Sequence, residues 1–230
     1  MTGDDDEIEH QAYASPACSM HEVDPAYPGS AAVSMARADA MRWRKVERER
    51  LIAARLAIPS EVRRLHGERI AAHLQAAIGD VTGLIVSAYW PFRGEPNLLA
   101  FLEGVAKRGG RTALPVVMTR AQPLVFRLWS KGDPLVRGVW NIPVPVDNAE
   151  VVLPDVVIAP VVGFDPHGYR LGYGGGFFDR TLAAMPHPPR VFGVGYGEVA
   201  IATIHPLPHD IAMDCVVTED GIAARKRSAA

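Results

Sequence analysis

Between residues 34 and 58 the chain is rich in Ala, Met, Arg, Glu and Leu, and Val46, Leu51, Ala54 and Ile58 recur near a helical spacing. That pattern predicts a helix with one apolar stripe, its more polar sides carrying Arg42, Arg44, Lys45, Arg48 and Arg50. Pro59 breaks it. Ser60 is placed to cap a second helix, which Gly79-Asp80 ends after Ile78. Beyond this point the pattern changes to short apolar runs. Residues 84–90 (LIVSAYW) read as a buried strand, and 97–108 as a helix stopped by Gly109-Gly110. Residues 112–117 read as a second strand and 124–129 as a weaker third. The clearest strand is 156–164 (VVIAPVVGF), followed by a helix over 177–185 and strands over 191–196 and 213–218.

Strands that alternate with helices, and are apolar along their whole length, predict an α/β three-layer sandwich. It is Rossmann-like, with a mostly parallel central sheet covered by helices on both faces. In such folds the ligand sits outside the carboxyl ends of the strands. Attention therefore falls on the segments after Trp90, Val117 and Phe164. Residues 1–34 mix Asp, Glu, Pro, Gly, Ser and Ala without periodicity and are expected to form a disordered leader. Residues 35–222 are expected to be a single domain, and 223–230 a solvated basic tail with Arg225, Lys226 and Arg227.

Composition adds exclusions. A formal net charge of −2 offers no strongly basic face, so no nucleic-acid partner is expected and any anion must be met by local charges. The two cysteines, Cys18 and Cys215, have no metal-ligand spacing and form no disulfide framework. The acidic opening lacks the basic start and apolar stretch of a secretory signal. No run of about 18 apolar residues marks a membrane span. The expected setting is the cytoplasm, and the expected state a monomer.

The segment 163–180 (GFDPHGYRLGYGGGFFDR) carries the chemistry. Five glycines, Gly168, Gly172, Gly174, Gly175 and Gly176, fall within nine residues. Glycine weakens the folded backbone entropically, so such a density needs a reason. One reason is close approach of backbone N–H groups to an anion. Arg170 adds a planar fork of donors that matches phosphate oxygens. Asp179 adds a hard oxygen ligand suited to Mg²⁺. A tight, inert strand–helix connection is the plain alternative. The motif is not the phosphate loop that ends in Gly-Lys-Ser/Thr, because no lysine follows the glycines.

Asp165, Gly168, Arg170, Gly172, Gly174, Gly176, Phe177, Phe178 and Asp179 together form the pattern D-x-x-G-x-R-x-G-x-G-x-G-aromatic-aromatic-D. This pattern is similar to the signature of the 5-formyltetrahydrofolate cyclo-ligase family, and the resemblance extends over roughly residues 38–220. It implies an enzyme that couples ATP hydrolysis to ring closure of 5-formyltetrahydrofolate into 5,10-methenyltetrahydrofolate, through a phosphorylated formyl group. It implies that ATP meets Arg44, Arg48, Arg170, Leu171, Gly172, Tyr173, Gly174, Gly175, Gly176, Phe177 and Phe178. Arg170, Arg48 and Lys45 would act in catalysis, with Arg44 and Lys45 alternative matches to one basic position. The folate substrate would meet Trp90, Glu95, Asn97, Tyr173, Phe177 and Phe178, while Asp179 and Asp210 would hold Mg²⁺. The simpler alternatives are a solvated helix face for the basic residues, core packing for Trp90, and capping for Glu95 and Asp210.

The chain departs from the family at four places. Gly175 stands where members often have Lys, Phe177 and Phe178 where they have paired Tyr, Val144 where they have Glu, and Asn97 where they have an acidic residue. These departures keep two other classes open. One is a non-catalytic folate or nucleotide sensor on the same scaffold, which would bind both ligands without product. The other is a sugar-phosphate isomerase or CoA-transferase-like enzyme, which would act without ATP and for which Glu95 is the obvious base or nucleophile.

Overall fold

In the computed structural model, which describes residues 30–226, the apolar runs assemble into one eight-stranded sheet. Two helices open the chain, α1 (Ser30–Ala57) and α2 (Ser60–Ile78). Then come β1 (Ile85–Ser87), α3 (Leu99–Lys107), β2 (Arg111–Val116) and β3 (Val125–Leu128). A hairpin of β4 (Leu135–Arg137) and β5 (Pro143–Pro145) precedes β6 (Val151–Val152) and β7 (Val156–Pro160). A second hairpin pairs β8 (Gly163–Phe164) with β9 (Arg170–Leu171) and leads into α4 (Phe177–Ala184). The strands β10 (Arg190–Val194), β11 (Cys215–Thr218) and β12 (Gly221–Arg225) close the chain.

The sheet order is β12-β11-β10-β7-β1-β2-β3-β6. The five central strands, β11 to β2, run parallel, and the pairs toward both edges are antiparallel. Period-two alternation buries both faces. In β11, Cys215 and Val217 pack with α2 and α3 residues such as Leu74 and Leu102. Val216, between them, packs in a second cluster with Leu51 of α1 and Leu182 of α4. Helices therefore cover both faces of a mostly parallel sheet, the three-layer arrangement that the apolar strand pattern predicts. No helix among the described residues is long and apolar enough to cross a membrane.

Several boundaries differ from expectation. The run 156–164 is not one strand. Pro160, which brings no N–H, ends β7; Val162 then donates to Leu171 O instead, and the chain leaves the main sheet for the β8–β9 hairpin. The glycine loop thus follows a hairpin rather than the best strand. The first apolar run is a strand only over Ile85–Ser87, because residues 88–96 turn over the sheet end. The β4–β5 hairpin, β6 and β12 had no signal, being short or half-exposed. The expected domain end at residue 222 falls inside β12, so Arg225 is a strand residue and not part of a free tail. Residues 30–34 of the expected leader are helical; residues 1–29, with Cys18, and Arg227 lie outside the described residues.

Asp165 sits in the β8–β9 turn and is 1% exposed. Its Oδ1 accepts from His167 N and Tyr169 N, and its Oδ2 from Ile204 N. It therefore shapes the turn and ties it to the segment before Asp210. Losing a buried carboxylate that serves three amides should destabilise by about 3 kcal/mol. Urea denaturation of Asp165→Ala tests this, and a loss below about 1 kcal/mol would contradict the assignment.

Candidate active site

The parallel strands end on one side of the sheet, and a cavity of about 550 Å³ opens there. Its walls come from every segment that the strand-end rule singled out. Tyr89, Trp90, Phe92, Arg93 and Glu95 follow β1; Val117 follows β2; Pro160 ends β7; and the glycine loop runs from Leu171 to Gly176. Met41, Arg44 and Arg48 approach from α1, and His209 and Asp210 from the segment before β11. Five arginines, Arg44, Arg48, Arg93, Arg170 and Arg180, line it against three carboxylates, Glu95, Asp179 and Asp210. A polyanion is the ligand this excess matches.

Arg170 is the most constrained of these. Its guanidinium is buried, lies over the Phe178 ring at 5.3 Å, and donates from Nη2 to Asp179 Oδ2 at 2.9 Å. Burial pulls its pKa down, and the negative fields of Asp179 and Asp210 act in the opposite direction. Its Nη1 is buried with no hydrogen-bond partner among the described residues. A buried guanidinium nitrogen without a partner calls for an acceptor oxygen.

The glycine loop stands beside it. Gly174 (φ +90°) and Gly176 (φ +61°) adopt the left-handed conformation that disfavours side chains. A Cβ on Gly174 would come within 3.3 Å of the Arg48 guanidinium. Gly172 is different: its φ is ordinary and a Cβ there would meet no protein atom within 4 Å. Its smallness serves the cavity rather than the fold. Arg48 fixes the loop by donating from Nε to Gly172 O at 2.6 Å. Phe177 packs edge-on against Trp140 of the β4–β5 hairpin at 6.1 Å, which closes one side.

Asp210 and Asp179 bring the acidic corner together. Asp179 Oδ1 accepts from Ile211 N at 3.1 Å, so the two carboxylates come from separate segments that touch. Asp210 is paired with Arg44, whose guanidinium also donates to Ile204 O and His205 O. Among the described residues no group of three or more His, Cys, Asp or Glu side chains is arranged to hold a metal by itself. Two carboxylates fit a hard cation that keeps waters and takes further oxygens from its ligand. Such a cation would share both groups with arginines.

Another part of the cavity wall is aromatic. Trp90 stacks edge-on against Trp129 at 5.9 Å, and Phe92 lies 5.9 Å from Tyr173. Glu95 is 7% exposed; its Oε1 accepts from the Tyr173 hydroxyl at 2.8 Å and its Oε2 from Phe92 N at 2.9 Å. Burial pushes its pKa up to about 7, against the opposing field of Arg55. Two residues expected at the site are not there. Lys45 is exposed and absent from the cavity wall, since it points about 100° round α1 from Arg44. Asn97 is also absent from the wall; its Oδ1 caps α3 through Leu99 N, and its side chain is exposed. Leu171 reaches the wall but its side chain belongs to the core. Sequence reasoning missed Arg180, Trp140 and the buried Arg55. Arg180 donates to Gly175 O and lies over the Phe177 ring.

A sequence model of the 5-formyltetrahydrofolate cyclo-ligase family matches residues 40–219. The 5-formyltetrahydrofolate cyclo-ligase of Mycolicibacterium smegmatis is 33% identical over 185 residues, spanning 77% of this chain and 94% of that protein. The enzyme of the same name from Escherichia coli is 33% identical over 172 residues, spanning 71% and 93%. The NMR structure of Aquifex aeolicus 5,10-methenyltetrahydrofolate synthetase superposes with a TM-score of 0.69 at 26% identity, over 81% of this chain and 94% of that one.

Two tests follow from this geometry. Gly174→Ala should destabilise by about 1–2 kcal/mol through its left-handed backbone, whereas Gly172→Ala should leave thermal stability unchanged; equal losses would contradict the distinction. The Glu95 carboxyl binds its proton more tightly in the native state, up to about 7, than the ordinary 4.5 of an unfolded chain. Stability therefore falls as pH rises through that window and stays lowered above it. Against wild type, Glu95→Gln should gain relative stability from pH 4.5 to about 7 in urea denaturation; a pH-independent difference would contradict this.

Proposed function

The chain belongs to the 5-formyltetrahydrofolate cyclo-ligase family, and on that premise we propose that it uses ATP to close 5-formyltetrahydrofolate into 5,10-methenyltetrahydrofolate. The observation that carries the ATP part is the unpartnered Nη1 of buried Arg170 beside a glycine loop in an arginine-rich cavity. A triphosphate supplies the oxygens this wall lacks. The amides of residues 172–176 and Arg170 hold them, with Arg48 and Arg44 neutralising further charge. Asp179 and Asp210 would hold Mg²⁺, which supplies charge neutralisation across phosphate oxygens.

The folate ring takes the other end. Glu95, as carboxylate, accepts from the donor edge of the pterin, and Trp90 and Phe92 offer flat apolar surface to its face. Tyr173, Phe177 and Phe178 line the space between the two ligands. The formyl oxygen is a poor leaving group. It attacks the γ-phosphorus, the bond from that phosphorus to the β,γ-bridging oxygen breaks, and ADP departs. The neighbouring folate nitrogen then attacks the formyl carbon and loses its proton, and phosphate leaves with the former formyl oxygen. Phosphoryl transfer needs positioning and charge stabilisation more than covalent help, which suits a wall of arginines and amides.

Purified protein with ATP, Mg²⁺ and 5-formyltetrahydrofolate should develop the absorbance of the methenyl product. Arg170→Ala should lower turnover about a hundredfold, the scale of one preorganised charge-stabilising donor. Near wild-type turnover in that variant would refute the phosphate assignment. Binding of both ligands by the wild type without product would instead favour a sensor on the same scaffold.

A further inference from the structure

Arg55 projects from α1 and is 2% exposed, yet it is not among the residues that line the cavity. A guanidinium so fully withdrawn from water needs partners of matching value. It finds three. Its Nε donates to Arg93 O at 2.9 Å, its Nη1 to Val161 O at 3.4 Å, and its Nη2 to the Tyr173 hydroxyl. That hydroxyl in turn donates to Glu95 Oε1 at 2.8 Å. The chain Arg55–Tyr173–Glu95 thus joins the opening helix, the glycine loop and the segment after β1.

The backbone around Glu95 is held with equal care. Arg93 (φ 47°) and Gly94 (φ 75°) are consecutive left-handed residues, and Glu95 N closes the turn onto Phe92 O. A left-handed arginine persists only where its surroundings fix it. Arg55 holds the Arg93 carbonyl, the Tyr196 hydroxyl the Gly94 carbonyl, and the Tyr89 hydroxyl the Pro96 carbonyl.

We propose that Arg55 is a positioning residue for the substrate site: through the Tyr173 hydroxyl and the Arg93 carbonyl it aims the Glu95 side chain and favours its charged form. What Glu95 then meets rests on the folate reading above; the linkage to Arg55 stands on the ligand-free chain. The titratable and charged groups packed about Glu95 are Arg55 from α1, Tyr173 from the glycine loop, Tyr89 after β1 and Tyr196 after β10, while Arg63 of α2 lies beside Gly94. Burial and the nearby carboxylate hold the Tyr89 and Tyr173 hydroxyls protonated. Arg55 is the charge whose field opposes the burial of Glu95. A cation placed behind the wall does this without competing for the ligand's acceptors.

The test separates the linkage from the folate contact. In the ligand-free full chain, the Glu95 carboxyl carbon, identified by its loss in Glu95→Gln, is followed by ¹³C NMR across neutral pH. Wild type should titrate near 7. Arg55→Met should move that midpoint upward by about one pH unit or more, the scale of removing a charge a few ångströms away. Arg55→Lys, which keeps the charge, should stay near wild type. Should Arg55→Met not fold, Tyr173→Phe breaks the chain at its middle and must move the midpoint the same way. An unmoved midpoint overturns the proposal whatever the ligands do. In parallel, 5-formyltetrahydrofolate binding should weaken with falling pH, and Arg55→Met should shift that loss upward by the same interval with ATP binding unchanged. A midpoint that moves while folate affinity does not follow overturns the folate contact at Glu95 rather than the linkage.

Discussion

A guanidinium buried beneath a sheet end must be surrounded by anions and acceptors, and Arg170 has one nitrogen too many for its protein partners. Most of the site's architecture answers that constraint. Asp179 opens α4 directly beneath it, Asp210 adds a second negative field, and the Phe178 ring covers one face. The two carboxylates come from different stretches of chain. The Asp179–Ile211 hydrogen bond and the Arg44–Asp210 pair draw those stretches together, and Asp165 anchors the same segment from the hairpin below. Arg170 shares the cavity wall with a glycine loop whose first glycine has no neighbour to avoid. A phosphate oxygen accepting from Nη1, as proposed above, would complete the charge arrangement around Arg170.

The two ends of the cavity differ in chemistry and share one residue. At the arginine end, positive charge and amides await a polyanion. At the aromatic end, rings and one buried carboxylate suit a flat heterocycle with donors on its edge. Tyr173 touches both, since its backbone belongs to the glycine loop and its hydroxyl to Glu95. In the proposed function, a nucleotide and a folate held by the same loop would be brought together by the fold itself, which is the larger part of what such a reaction asks of a protein. Keeping Glu95 charged in that setting costs stability, and Arg55 offsets part of that cost from behind the wall.

Much of this was legible in the residues. The alternation of apolar runs with helical stretches implied the parallel sheet, because strands buried on both faces have no polar side to show. The order of glycines, Arg170 and Asp179 marked a candidate anion site, because those residue types have few other reasons to stand so close. What escaped notice depends on packing. Lys45 and Arg44 are adjacent in sequence, and only the orientation of α1 decides that Arg44 faces the cavity. Asn97 follows the Gly-Glu turn closely but caps α3 instead of entering the site. Arg55 carries no signal in the sequence; its burial arises from contacts with Arg93, Val161 and Tyr173, far away in sequence. Pro160 could have warned that the long apolar run would divide, since a proline late in a central strand withdraws a donor from the ladder.

The most direct measurement is a crystal structure with a non-hydrolysable ATP analogue, Mg²⁺ and 5-formyltetrahydrofolate bound together. The account requires the terminal phosphate to sit against Arg170 Nη1 and the amides of residues 172–176, with the formyl group turned toward it and the pterin edge on Glu95. A triphosphate lodged elsewhere, with Nη1 still without an acceptor, would contradict it.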